Sequence, residues 1–207
     1  GTSTLRNAPY GDDVDCMVTA LRTLGAKISI AKNKRNRTLK IIGTGGAITP
    51  KKTIICTKNA GTVTRFLTAL LTLSNKKCIL KGNAEMERRP IGPLVEALNK
   101  LGASIIYGET TGHTPLIIKP KKPHGGIIRV DSSMSSQFIS ALMLLAPYLD
   151  TPLTIKPSKD TVSRSYIDLT AEVMQSFDAK VVQKKYSKII IYPGRYKATK
   201  MKIEPDA

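Results

Sequence analysis

Tryptophan is absent from this sequence, and phenylalanine and tyrosine number only 3 and 7. So few rings argue against a nucleic-acid surface of the stacking kind, where aromatics alternate with basic residues. Cysteine is scarce as well. Cys16, Cys56 and Cys78 are odd in number and lack a CxxC spacing, which excludes a disulfide framework and points to free thiols in a reducing, cytoplasmic setting. With His113 and His124 the only histidines, no metal site is expected, and no cofactor motif is present. No run approaches the ~20 consecutive apolar residues of a membrane span, and no basic-then-apolar leader opens the sequence. Acidic residues are also few: 15 against 33 Lys and Arg, for a net charge of +18. Such a field attracts polyanions, and equally it attracts small phosphorylated or carboxylated substrates.

What is present suffices for a folded domain, since 41% of the 207 residues are hydrophobic. The basic clusters fall in polar connections and read as solvated loops. They are Lys32, Asn33, Lys34, Arg35, Asn36 and Arg37, then residues 119–122, then Lys184 and Lys185.

The chain repeats itself with a period of 76–77 residues. Leu24-Gly25-Ala26, Leu101-Gly102-Ala103 and Phe177-Asp178-Ala179 close three amphipathic helical stretches. Ahead of them the apolar positions Val14, Met17, Val18, Leu21 and Leu24 keep the spacing of one helix face. So do Leu94, Val95, Leu98 and Leu101, and less regularly Ile167, Leu169, Val173 and Met174. Each stretch precedes a pair of β-rich segments: 27–30 with 38–42, 104–107 with 116–119, and 180–182 with 188–192.

A second kind of helix occurs twice, at 62–73 and 136–148, apolar almost all round as in a helix buried on every side. The two align at an offset of 72, Phe66 with Phe138, Ala69 with Ala141 and Leu70 with Leu142. Short strands at 53–56, 78–81, 126–130 and 153–156 flank them. One unit is therefore strand, buried helix, strand, amphipathic helix, strand, strand: a βαβαββ repeat of α/β class. Two units are complete, at 51–120 and 124–194, and the first, at 2–43, holds only the second half of the pattern. Residues 197–207 read as the opening strand of a further unit, in a chain that is a piece of a longer protein. The absent first buried helix implies an apolar groove between the two that remain.

Polar motifs recur at the helix starts: Asn59-Ala60-Gly61-Thr62, Ser135-Ser136-Gln137, Arg88-Arg89-Pro90-Ile91, Ser163-Arg164-Ser165-Tyr166 and Gly11-Asp12-Asp13. A helix N-terminus offers unpaired N–H groups and about half a positive charge, so small hydroxyl residues and Gly there suit an approaching anion. Any one of these taken alone is an ordinary cap. Several on one repeat plan would converge if the repeats surround a pseudo-threefold axis.

Together these motifs resemble the N-terminal domain of the 5-enolpyruvylshikimate-3-phosphate (EPSP) synthases, with the flavour of the fungal multifunctional aromatic-pathway protein. NAGTVTRFLTALLTL at 59–73, RRPIGPLVEALNKLGA at 88–103, SSQFISALMLLAPY at 135–148 and SRSYIDLT at 163–170 carry the likeness, with GRYKATKMKIEPDA at 194–207. The resemblance implies an inverted α/β prism of βαβαββ units. It also implies transfer of the enolpyruvyl group of phosphoenolpyruvate to the 5-hydroxyl of shikimate 3-phosphate, by addition and then elimination of phosphate. It assigns Ser135, Ser136, Gln137, Ser163 and Tyr166 to shikimate 3-phosphate, and Asn59, Gly61, Arg89 and again Gln137 to phosphoenolpyruvate, with no cofactor and no metal. The implied partners are those two small anions and a second domain, supplied in cis or trans, that carries the acid–base groups. Neither membrane nor specific nucleic acid is expected.

Three residues depart from the family pattern: Lys58 where Gly is usual, Glu85 where Arg is common, and Ser165 where Pro is usual. Rival readings are the sister transferase acting on a UDP-linked amino sugar, a basic nucleic-acid protein with repeats like those of RNA 3′-phosphate cyclases, and a non-catalytic scaffold. The first would carry a reactive Cys where this chain has Asn83-Ala84-Glu85-Met86.

Overall fold

The computed structural model describes residues 1–32, 36–184 and 187–204. The loop assignments of Asn33, Lys34, Arg35 and Lys185, and the end of the closing segment at 205–207, lie outside the described residues. The elements run β1 (Thr2–Ala8), α1 (Asp12–Thr23), β2 (Lys27–Lys32), β3 (Arg37–Ile42), β4 (Ile54–Cys56), α2 (Gly61–Leu71) and β5 (Cys78–Lys81). They continue with α3 (Ala84–Glu87), α4 (Gly92–Lys100), β6 (Ser104–Tyr107), β7 (Leu116–Lys119), β8 (Gly126–Val130) and α5 (Gln137–Leu145). The last are β9 (Leu153–Pro157), α6 (Ser165–Ser176), β10 (Val181–Lys184), β11 (Lys188–Ile191) and β12 (Lys200–Lys202).

Three four-stranded sheets share one topology: β12-β1-β3-β2, β4-β5-β7-β6 and β8-β9-β11-β10. In each, the first two strands are parallel and the remaining neighbours antiparallel. A parallel pair needs a crossover, which α2 supplies in the second sheet and α5 in the third. In the first sheet the opening place is taken by β12 from the far end of the chain, pairing Lys200, Met201 and Lys202 with Thr4, Leu5 and Arg6. The fold is thus the α/β prism that the family resemblance implies, built from the repeated units that the sequence pattern predicts, with sheets outside and helices within.

The recurring helix ends have one physical cause. At all three, a residue in the left-handed region closes the helix: Gly25 at φ 111°, Gly102 at 99° and Asp178 at 67°. The next amide reaches back five residues to a carbonyl, Ala26 to Leu21, Ala103 to Leu98 and Ala179 to Met174, each at 3.0 Å. This is a Schellman closure, which favours Gly because an L side chain there meets its own backbone. Asp178 tolerates the conformation, and its carboxylate receives Lys197 Nζ at 2.7 Å.

Burial follows the two helix types. The large core joins α2, α4 and α5 to the second and third sheets through Leu67, Leu71, Leu94, Leu98, Phe138 and Leu142, none more than 1% exposed. The first repeat, with α1 as its one helix, keeps a small separate core of Ala8, Val18, Ile28 and Leu39. Between α2 and α5 themselves the expected groove is replaced by direct packing; an apolar cleft of about 170 Å³ lies instead where α1 meets them, walled by Met17 and Leu21 of α1, Phe66 and Leu70 of α2, and Leu144 and Leu145 of α5.

Two local readings are corrected. Arg37 is not a solvated loop cation: it is 2% exposed. Its guanidinium donates to Asp15 Oδ1 and, at 2.7 Å, to the Pro9 carbonyl, and it stacks over the Tyr10 ring. The charge pattern missed it because its partner lies on α1, more than twenty residues earlier. The helix α3 was also not foreseen. It is a single turn, begun by Asn83 Oδ1 accepting from the Met86 amide at 3.0 Å and anchored by the fully buried Met86. The buried helices are shorter than the apolar runs; residues 146–148 tighten into a 3₁₀ turn around Pro147.

Two outcomes are expected. Arg37→Ala should lower the unfolding free energy by about 1–3 kcal/mol, because two hydrogen bonds to a buried guanidinium are lost, as denaturant titration would read. The groove between α1, α2 and α5 should bind a dye that fluoresces on apolar surface, with half-saturation before thermal unfolding begins. A chain that melts cooperatively and gives no dye signal in the native state would show the groove to be closed.

Candidate active site

The parallel strands of each repeat feed their helices from the same end of the prism, so the starts of α2, α5 and α6 come together. At none of the three does the cap residue itself, Ala60, Ser136 or Arg164, bond to its helix through its side chain, and α2 and α5 have no acidic residue in the first turn. Their N–H groups and dipole ends are left to face a ligand. The capping explanation fails here for most of the motif residues. Ser136, 4% exposed, stands at the cap position of α5 without bonding to it, whereas Ser135 Oγ accepts from the Gln137 amide at 3.2 Å.

Ser135, Ser136, Gln137, Ser163 and Tyr166 line a single cavity of about 520 Å³. Thr62 and Phe66 of α2, with Ser140 and Thr170, also line it, and Met134, Leu144, Val162, Leu169 and Val173 give it an apolar side. Ser140 Oγ and Thr170 Oγ1 are hydrogen-bonded at 2.8 Å, locking α5 to α6 beneath it. Tyr166 is 62% exposed and stands at the rim. Ser163 has φ 51°, a left-handed backbone that costs a non-glycine residue about 1 kcal/mol. Behind this wall Ser132 Oγ meets Thr161 Oγ1 at 2.6 Å and Ser158 Oγ at 3.2 Å, a hydroxyl cluster that fixes the loop before α6.

Asn59, Gly61 and Arg89 form a neighbouring corner. Arg65, which sequence reasoning passed over, connects the two. It is 7% exposed, and it donates to Gln137 Oε1 at 3.1 Å and to the Pro90 carbonyl at 3.0 Å. Its guanidinium lies over the Phe138 ring at 5.5 Å. Gln137 in turn donates to Thr62 Oγ1 at 2.9 Å. Burial, and then the charge of Arg89, pull the Arg65 pKa below its usual value. The Gly61 position explains its residue type: a Cβ there would meet Arg65 Nη1 at 2.6 Å and Arg89 Nη1 at 3.3 Å. The signal for Arg65 was available, since an offset of 72 carries Gln137 onto it.

The two departures nearest this corner have clear physical effects. Lys58 adopts φ 53°, the conformation that favours the usual Gly. Glu85 bridges the corner from α3, accepting from Asn59 Nδ2 at 2.7 Å and from Arg89 Nη2 at 3.0 Å. The Asn59 amide first, and then Arg89, hold its carboxyl below the ordinary glutamate range. It therefore stays ionised, and this hydrogen-bonded arrangement is lost only as pH falls through that lowered value. An internal carboxylate thus occupies two of the three groups at the corner. Asn59 Oδ1 and Arg65 Nε, both buried, have no hydrogen-bond partner among the described residues.

The family model for EPSP synthase (3-phosphoshikimate 1-carboxyvinyltransferase) matches residues 1–207. The chain belongs to the EPSP synthase family. Among curated relatives, the 3-phosphoshikimate 1-carboxyvinyltransferase of Shewanella amazonensis is 39% identical over 210 residues, which cover 100% of this chain and 49% of that protein. The same enzyme of Aliivibrio fischeri is 37% identical over 192 residues, 92% of this chain and 45% of its own length. The chain thus spans about half the length of these relatives. Among solved structures, EPSP synthase from Acinetobacter baumannii superposes at a TM-score of 0.83, with 21% identity, 98% of this chain covered and 44% of that one. That likeness shows the fold. Among the described residues, no helix is long and apolar enough to cross a membrane.

Glu85→Gln should raise the affinity of this corner for a small carboxylate or phosphate by up to about fivefold, since it removes an exposed competing charge. Titration of the variant and the parent with the same anion at constant ionic strength checks it, and equal affinities would show that Glu85 does not compete.

Proposed function

We propose that this chain is the substrate-binding half of an enolpyruvyl transferase, holding shikimate 3-phosphate in the Ser135–Tyr166 cavity and phosphoenolpyruvate at the Asn59–Arg89 corner. The observation that carries the reading is the Arg65–Gln137–Thr62 bridge, which joins a hydroxyl-lined cavity to a guanidinium-lined corner at converging helix starts. Two small anions that must react with each other suit two anion sites sharing one wall.

In the reaction, the 5-hydroxyl of shikimate 3-phosphate gives its proton to a base as its oxygen bonds to C2 of phosphoenolpyruvate, while an acid delivers a proton to C3, giving a tetrahedral intermediate. The C2–O bond to phosphate then breaks, phosphate leaves with the electron pair, and C3 gives up a proton. On this reading Ser135, Ser136, Ser163 and Tyr166 hold the first substrate through hydroxyls, and Gln137 touches both. Arg89 and the start of α2 offset the charge of the second. Their contribution is proximity and charge stabilisation, which reach several kcal/mol when the geometry is held in advance. The site's carboxylate, Glu85, is engaged by Asn59 and Arg89, so proton transfer falls to groups of a second domain. Free thiols at Cys16, Cys56 and Cys78 agree with a reducing, cytoplasmic setting.

Amide NMR titration with shikimate 3-phosphate, with shikimate and inorganic phosphate as controls, tests the reading. Saturable shifts specific to the phosphorylated ligand are expected at Ser135, Ser136, Gln137, Ser163 and Tyr166. Arg89→Ala should leave those shifts in place and weaken phosphoenolpyruvate binding by about tenfold, allowing for its partial exposure. Shifts equal for phosphate and shikimate 3-phosphate would reduce the site to a general anion pocket.

A further inference from the structure

The prism has a second cationic feature, on the outer face of the third sheet. Arg129 of β8 pairs with Lys156 of β9, and Lys184 of β10 pairs with Lys188 of β11. The register Ile189 to Ile155 sets Lys188 opposite Lys156. One row, Lys184, Lys188, Lys156, Arg129, therefore crosses all four strands, roughly 14 Å at a strand spacing of about 4.8 Å. Ile128, Ile155 and Ile189, the neighbours of that row along the strands, are buried in the core, so alternation turns the row outward.

The other two sheets serve as internal controls, because their topology is the same. At the equivalent positions the second sheet has Gly108, Pro115, Lys81 and Cys56, and the first has Ala31, Thr38, Arg6 and Lys202. The fold itself thus asks for no such row. Like charges opposite one another across strands repel, so the row costs stability that a bound anion would restore.

At one end of the row lies a cavity of about 740 Å³, walled by Arg129, Lys156, Lys159 and Arg164. Arg164 Nη2 donates to the Lys159 carbonyl at 2.7 Å, which pins the loop carrying both. Ser158 and Ser187 also line it, the first hydroxyl bonded to Ser132 and the second donating to the Lys184 carbonyl at 2.7 Å. Its carboxylate, Asp131, accepts from Ser133 N at 3.0 Å and Ser133 Oγ at 2.7 Å. Among the described residues, Arg129, Lys156 and Lys159 have no acidic partner within ion-pair distance. Among the described residues, no aromatic ring lines the cavity. The cavity shares no lining residue with the one around Ser135.

We propose that this face binds an extended phosphate chain of three or more phosphates, as in inorganic polyphosphate or the tail of a nucleoside triphosphate. A row of point charges matches a linear polyanion better than a single compact phosphate, and the cavity takes the chain's end.

Isothermal titration of the full chain with inorganic tripolyphosphate, ATP, orthophosphate and a short oligonucleotide tests this, at an ionic strength that screens dispersed surface attraction. Tripolyphosphate should bind saturably and at least about tenfold more tightly than orthophosphate. The double variant Arg129→Glu with Lys156→Glu should lose at least about tenfold in affinity, while Lys100→Glu with Lys121→Glu, an equal charge change elsewhere, stays within about twofold of the parent. Circular dichroism confirms folding, and the exposed single change Lys159→Glu stands in should the first double variant unfold. ATP binding as tightly as tripolyphosphate assigns the triphosphate tail as sufficient, and tripolyphosphate binding alone assigns free polyphosphate. Equal losses in both double variants, or unsaturable uptake, would overturn the proposal. Tighter binding of the oligonucleotide than of tripolyphosphate would overturn it in favour of nucleic acid.

Discussion

The packing of α2 against α5 is the constraint on which the rest depends. Each is apolar on nearly every side, so neither is stable except inside, flanked by a helix of another repeat. Because the repeats are equivalent, equivalent residues meet: Arg65 and Gln137 stand 72 positions apart, the offset that aligns the two helices, and they are hydrogen-bonded at 3.1 Å. The same packing brings two helix starts side by side, neither with an acidic residue in its first turn. Their partial charges repel, and Arg65 and Arg89 add to the local positive potential. An electropositive corner is therefore a consequence of building the core this way.

That corner stays in place because neighbours hold it. Arg65 is kept charged at low exposure by the Pro90 carbonyl and the Gln137 side chain, and burial alone would favour its neutral form. Glu85 supplies a counter-charge, tied at both oxygens. Lys58 and Ser163 sit at the two edges in left-handed backbone, and strained residues of this sort persist where surrounding structure over-determines them. The loops they belong to are fixed from behind, by buried Met86 on one side and by the Ser132, Ser158 and Thr161 hydroxyls on the other.

Much of this was legible in the sequence, for reasons that are themselves structural. The repeat is legible because each Schellman corner demands Gly or a tolerant Asp at one position, and because helices buried all round leave an unbroken apolar run. Helix starts rich in Ser, Asn and Gly were legible as anion-ready, although the pattern does not separate a capping hydroxyl, Ser135, from one that is not, Ser136. What was not legible depended on distant partners. Arg37 reads as one more loop cation until α1 brings Asp15 to it. Arg65 lies within an apolar helix, where its neighbours in sequence say nothing of Gln137. The short helix α3 is set by one buried Met, below the length at which periodicity carries information.

The distribution of charge separates two tasks that net charge alone merges. Of the site's guanidinium groups, Arg65 bonds to Gln137 and Arg89 is offset by Glu85, so the pair holds little of the +18. Most of the excess therefore lies elsewhere, much of it on outer sheet faces that the fold leaves to solvent. A field of that sign speeds the arrival of any anionic substrate, but steering needs no register. The row across the third sheet does have a register, set by strand pairing, and the equivalent positions of the other two sheets share that register without carrying a charge on every strand. Placement at regular spacing, against local repulsion and beside a cavity walled by the further cations Lys159 and Arg164, goes beyond what steering requires; it is the arrangement that recognises a chain of charges.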